Sequence, residues 1–350
     1  MTDDELESPP GTNPDIDPLA QARKFIRGLG DVASSFTGAV RSLYAGGKSM
    51  PNSKFSFMTQ QNLKPLLRSP SVLSHLYYAA LAYHKNELLA MEKFTPVQLA
   101  EVFNPIELAA LLTVVYFHRR LMARCDKKEW ANLSIQMQAY LDLAVPLGQT
   151  IPAIGPTRAI LTAGARYVAW GSIATQDIKG FKKYKVAMKV KNRLCDLIEE
   201  QDLWGTSHAH IGAVMFQLFG FGINISSGYL NGQLAKDPTK LDGENKRFRV
   251  AQLWLDALIQ ERNVPHESIG DDYVLSDDQV EPFVELVQRL VDEGSEHAWL
   301  SKRRDDIGPK KTPALQFDYE RFSRVLKKGK PTKEEDAIDE EMEDEEAPKE

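Results

Sequence analysis

Apolar positions recur at helical spacing over most of this chain, and no convincing series of strands alternates at period two. Two helix starts are written out in full between residues 94 and 108. In "FTPVQL", Thr95 predicts an N-cap, Pro96 the first helical position and Gln98 the far side of a capping box, with Phe94 and Leu99 as a hydrophobic staple. In "FNPIEL" the device repeats with Asn104, Pro105 and Glu107, stapled by Phe103 and Leu108. Two helices should therefore meet at a tight corner. The second, "PIELAALLTVVYFHRRLMARC", is apolar on most of its circumference until Arg119 and should be a central core helix. An amphipathic helix is predicted over 128–144, ended by "VPLGQTIPAIGP". The Ala- and Gly-rich "TRAILTAGARYVAWGSIATQ" should lie buried among close neighbours. A long helix over 180–201 begins basic and ends acidic, which opposes the helix dipole, so packing must hold it. Two more helices are expected over 240–300. The later one, "LSDDQVEPFVELVQRLVDEG", opens on a Ser276/Gln279 capping box with a Leu275/Val280 staple and stops at Gly294. The fold class predicted is all-α.

The ends of the chain read differently. Residues 1–20 are acidic and proline-rich, and 21–50 carry a weak helix pattern (Phe25, Ile26, Leu29, Val32) that breaks at "YAGGKSM". The triplet Gly47-Lys48-Ser49 has the letters of a phosphate-binding loop, but Ser42 stands where that loop needs glycine and no strand precedes it. It reads as a flexible linker. Residues 331–350 hold 11 acids and two bases, while 302–330 hold ten Lys or Arg against four Asp or Glu. So acidic a block buries too little apolar area to offset its ordering entropy. The expected organisation is 1–50 mostly disordered with a short helix, 51–235 an all-helical core, 236–300 a helical C-terminal extension, and 301–350 a basic segment followed by a disordered acidic tail.

No apolar run approaches the roughly 20 residues of a membrane span. The first residues lack the basic-then-apolar order of a signal peptide. Cys125 and Cys195 form neither a disulfide framework nor a CxxC pair. A cytoplasmic setting is expected, with no membrane partner.

The segment richest in candidate chemistry is "DLWGTSHAHIGAVMFQLFGFG", which holds two of the seven histidines. If Thr206 or Ser207 caps a helix, then at about 100° per residue His208 shares a stripe with Ile211, Gly212, Met215, Leu218 and Phe219. His210 points about 200° away from it. The two rings cannot share a metal, so His208 should face inward and His210 the surface, with Gly220 and Gly222 ending the helix. "GTSHA" approaches a serine-hydrolase elbow, but Ala209 replaces its last glycine and a helix, not a strand, precedes it. His208 is expected to donate a ring N–H to a nearby carbonyl or carboxylate, with Glu199, Glu200 and Asp202 as candidate acceptors. Trp204 is expected as a core anchor whose indole finds a backbone acceptor. Further upstream, Lys182, Lys185, Lys189 and Arg193 fall near one helix face, with Lys179 a turn earlier, and are candidates for contact with an anion or an acidic partner.

"EEQDLWGTSHAHIGAVMFQLFGFG" resembles a signature of the HD superfamily, and within it the HDOD-type domains of bacterial signalling proteins: an acid, an aromatic, then G-x-x-H-x-x-(aliphatic)-G-A. The matching positions are Glu200 (or Glu199), Trp204, Gly205, His208, Ile211, Gly212 and Ala213. The resemblance implies a helical HD-like bundle with 157–176 as its central helix. Catalytic members ligate metal through a histidine, an adjacent His-Asp pair and a later aspartate. This chain has no His-Asp dipeptide, and reads "ARYVAWGSIATQD" where the pair is expected. The resemblance thus implies a non-enzymatic regulatory or signal-transduction scaffold, without cofactor, metal or catalytic residue. It would bind a protein partner or small signalling ligand through a degenerate pocket. Two alternatives stay open: a divergent metal-dependent phosphohydrolase, and a nucleic-acid-associated regulator using residues 302–330, which carry no known DNA-reading motif.

Overall fold

The computed structural model describes residues 17–49, 55–91, 93–235, 237–301 and 316–317. The disorder expected for the first residues, up to 16, and for the acidic tail 331–350 lies outside the described residues, as does most of the basic segment 302–330. The fold is all-α. Fifteen helices make up nearly all the regular structure described: α1 (Pro18–Arg27), α2 (Ser34–Ser49), α3 (Phe57–Arg68), α4 (Pro70–Tyr83), α5 (Lys85–Leu89), α6 (Pro96–Ala100), α7 (Pro105–Arg124), α8 (Lys127–Thr150), α9 (Pro156–Gln176), α10 (Ile178–Val190), α11 (Leu197–Trp204), α12 (His208–Phe219), α13 (Ile223–Leu234), α14 (Gly243–Asp256) and α15 (Asp277–Asp292). A two-residue parallel ladder joins β1 (Lys93–Phe94) to β2 (Gln316–Phe317). None of the described helices is long and apolar enough to cross a membrane.

The capping signals act where they are written. Thr95 and Gln98 close a complete box on α6, and Ser276 and Gln279 one on α15. Asn104 caps α7 by accepting from the Ile106 N–H. The Glu107 carboxylate has a different task from the one its spacing suggests: it is buried and bonded to His84 Nε2 at 2.8 Å. α9 sits at the centre, buried from Ala159 to Ala174 and packed on α1, α7, α8, α10, α12 and α14. Its small side chains permit that crowding, as the sequence led us to expect.

Three expectations need correction. α8 does not stop near 144 but runs through Pro146 to Thr150. Proline forfeits one backbone hydrogen bond; here Leu143, Ala144, Val145 and Leu147, all buried against α9, keep the helix going. The helix expected over 180–201 is two. α10 ends at Val190, Asn192 turns the chain at φ 51°, and the Asp196 carboxylate caps α11 through Ile198 N–H and Glu199 N–H. The charge order that opposed one dipole suits two: Lys189 lies in the last turn of α10, and Glu199 and Glu200 in the first of α11.

Residues 34–49 are not disordered, and Gly47-Lys48-Ser49 is no linker. They form α2, whose Phe36, Ala39, Val40 and Leu43 are buried, mainly against α7, and the Gly47-Lys48-Ser49 triplet lies inside that helix. α1 is capped by Asp17 and packs on α12 and α9. At the other end the chain is anchored by Trp299. Its indole donates to Tyr83 Oη at 2.5 Å, and Leu300 N–H donates to Gln138 Oε1 at 3.0 Å.

Candidate functional site

The site is built at the junction of α9, α10, α11 and α12. Glu200 leaves the first turn of α11 pointing inward, and its carboxylate is fully buried. Four donors converge on it. The His208 backbone N–H donates at 2.7 Å and its ring Nδ1–H at 2.8 Å to Oε2. The Trp170 indole donates at 2.9 Å and the Tyr184 hydroxyl at 2.8 Å to Oε1. Burial alone would raise the Glu200 carboxyl, but His208 and the remaining donors overcome it and hold it below the ordinary 4.5. Of the three acids expected to receive His208, Glu200 does so. The bond is a helix-to-helix clamp, since it fixes the start of α12 to α11 while Trp170 and Tyr184 tie in α9 and α10.

Gly205 makes the clamp sterically feasible. It ends α11 at φ 65°, a left-handed turn that glycine adopts without strain, and so reverses the chain within three residues. Gly212 serves a different need: a Cβ there would lie 2.5 Å from Tyr229 Cε1 and 3.2 Å from the Ala165 Cβ. Ile211 and Ala213 are buried beside it. Of the motif positions, His208 alone bonds Glu200; Gly205 turns the chain between them and Gly212 lies against Tyr229 and Ala165.

Two placements overturn expectations. His210 is buried, not on the surface; its Nδ1 lies 2.8 Å from Ser207 Oγ. Burial, assisted by neighbouring His208, pushes its pKa down to about 4. The reason is α1 and α2, which cover the side of α12 that helix geometry alone leaves open. Ser207 is likewise fully buried, so this Ser–His contact is closed to substrate. Trp204 is half-buried, and its indole donates to the Asp177 carboxylate at 3.1 Å, not to the backbone.

The four basic candidates separate, and Arg193 lies beyond α10 in the turn before α11. Lys185, Lys189 and Arg193 line a cleft of about 200 Å³ against α8, floored by Trp170, Phe181 and Tyr184. Lys185 is paired with Glu129 and Arg193 with Asp196. Lys182 is exposed and is not part of that lining. Trp170 and Tyr184 therefore have two faces of use: their polar atoms serve Glu200 and their rings floor the cleft.

Sequence reading missed a second buried centre. Arg166 gives both terminal nitrogens to Asp256 of α14, at 2.8 and 2.9 Å, and Tyr140 Oη donates to the same carboxylate at 3.0 Å. An arginine amid the small residues of α9 was the available signal, because a buried charge requires a partner. Its partner lies 90 residues away and is invisible to local pattern. Among the described residues no group of three or more His, Cys, Asp or Glu is placed to hold a metal ion. Both cysteines are free thiols, pushed up by burial and so poorly nucleophilic at neutral pH.

These elements define a helical protein with a buried, carboxylate-centred clamp beside a cleft whose rim carries Lys185, Lys189, Arg193 and Glu129. Compared with protein families, curated proteins and solved structures, the chain matches none.

Proposed function

We propose that this protein is a non-enzymatic regulatory or signalling scaffold, which recognises a ligand or a partner's side chain in the cleft between α8 and α10. The observation that carries this reading is the double use of Trp170 and Tyr184. Glu200 and His208 Nδ1, the groups nearest to metal or acid–base chemistry, are spent on each other and on these two side chains. What remains is a cleft lined by these largely buried rings, with Lys185, Lys189 and Arg193 at its rim and Glu129 beside Lys185. Such a surface suits a group that joins an apolar ring to an anion: the ring buries area on the floor and the cations draw the charge.

Phenyl phosphate has both parts and tests the reading. Calorimetric titration of the full chain should show binding that weakens as salt rises and in Lys189→Glu/Arg193→Glu, with no phosphate released when Mg²⁺ or Mn²⁺ is supplied. Absence of binding would sink the proposal. Release of phosphate that disappears in His208→Ala would replace it with a metal-dependent phosphohydrolase.

A further inference from the structure

Apart from Lys189, the outer face of α10 lies outside the cleft lining. Lys179, Lys182, Lys183 and Lys189 are exposed there, around Val186 and Val190, whose relative exposures of 64% and 82% are high for valine. All six fall within roughly a third of the helix circumference at about 100° per residue. None of the four lysines is within ion-pair distance of a carboxylate among the described residues, whereas Lys185, Lys191 and Arg193 are paired with Glu129, Glu199 and Asp196. At the helix start the Asp177 carboxyl is held below its usual range chiefly by the Gly180 N–H and the Trp204 indole, with Lys183 adding to it. The face is thus basic with an apolar centre, on a chain whose net charge is −6.

The most acidic complementary pattern lies in the same chain. Residues 334–346, "EEDAIDEEMEDEE", carry ten acids and no base, with Ile338 and Met342 as the large apolar residues among them. Ile338 and Met342 are four apart, as are Val186 and Val190. We propose that the acidic segment 334–346 docks on the outer face of α10 in its own chain, its acids on the lysines and Ile338 and Met342 on the two valines. The tether allows it. Phe317 is held at β1, and the 17 residues from there to Glu334 extend to about 55 Å. A folded unit of this size is about 50 Å across. Attachment also supplies an effective concentration on the order of millimolar, so a weak contact suffices. With Lys189 shared between the face and the cleft rim, the docked segment would compete with an anion at the cleft.

Zero-length carbodiimide coupling of the full chain, read by mass spectrometry, tests this directly. Acids of 334–346 should couple to Lys179, Lys182, Lys183 or Lys189. Yield should fall about ten-fold when salt rises from roughly 0.02 to 0.5 M, as expected for screened surface charges. It should also be lost in Lys179→Glu/Lys182→Glu/Lys183→Glu, while the coupling of Lys191 to Glu199 persists as an internal control. Ile338→Ser/Met342→Ser should lower the yield without changing charge. Three results would overturn the proposal: coupling of the acids to lysines of 302–330 in place of α10, coupling found only between isotopically distinct chains, or a yield indifferent to the Ile338/Met342 change. Cosedimentation with phosphatidylserine vesicles that the triple variant abolishes, without these couplings, would assign the face to a lipid surface and overturn it as well.

Discussion

Glu200 shows how much one side chain can hold. Hydrogen bonds to a charged acceptor are stronger than neutral ones, and removing one partner of a buried pair strands the rest. Glu200→Ala should therefore cost about 3–5 kcal/mol in urea unfolding, because His208, Trp170 and Tyr184 are left with unmet donors in the core. Acid should weaken the protein before most carboxylates titrate. His118 is pushed down to about 3 by burial and by the neighbouring His75 and Arg119 charges, and His210 to about 4. Unfolded, both take a proton near 6.5. Below that pH the unfolded chain holds more protons than the folded one, so stability drops as pH falls towards 4. Glu200 adds to the loss lower down: its contribution is whole above 4.5 and goes as pH falls through its depressed folded value. His84 works in the opposite sense. Burial lowers it but Glu107 raises it further, so its contribution is full below 6.5 and is lost as pH rises through the folded value. With two histidines against one, urea midpoints should decline from pH 7 to pH 4. The decline should be shallower in His210→Asn; an unchanged slope would place the acid sensitivity elsewhere.

Between helices, close approach is set by what is missing as much as by what is present. α12 and α13 meet across Gly212 and the ring of Tyr229, which is fully buried and packed against Phe216 and Phe248. That ring has nowhere to retreat. Gly212→Ala should thus destabilise by about 1–3 kcal/mol, the range for overpacking a filled core, despite alanine's better helix propensity. A gain in thermal midpoint would show that the two helices separate freely. The α10–α11 break carries a lesson of the same scale. Its signals, Asp196 as cap and acids in the following turn, were present in the sequence, and the misreading came from treating a change of charge along a segment as a defect of one helix.

Across the molecule, the two N-terminal helices decide what α12 exposes. α2 buries Phe36 against Tyr116 of α7, with ring centroids 4.9 Å apart, and α1 lies along α12. Phe36→Ala should cost about 3–5 kcal/mol, the usual loss for a buried aromatic, when measured by denaturant unfolding. A cost near zero would restore the expectation that this segment is mostly disordered. The same packing explains why His210 was assigned to the surface: helix geometry gives direction relative to its own axis, but not which directions another element will cover.

The sequence by itself determined the helices and their clearest starts, because caps, prolines and apolar stripes act over a few residues and need no distant partner. It also placed His208 inward, but by a stripe that sent His210 outward and Leu218 inward, whereas α12 is buried on every side from His208 to Phe216 and Leu218 is exposed. Tertiary structure alone decided that Glu200 is the acceptor, that Trp170 and Tyr184 serve both clamp and cleft, that Arg166 meets Asp256, and that His210 is covered. Each of these depends on which helices lie side by side, and that is set by the summed burial of many side chains far apart in the chain.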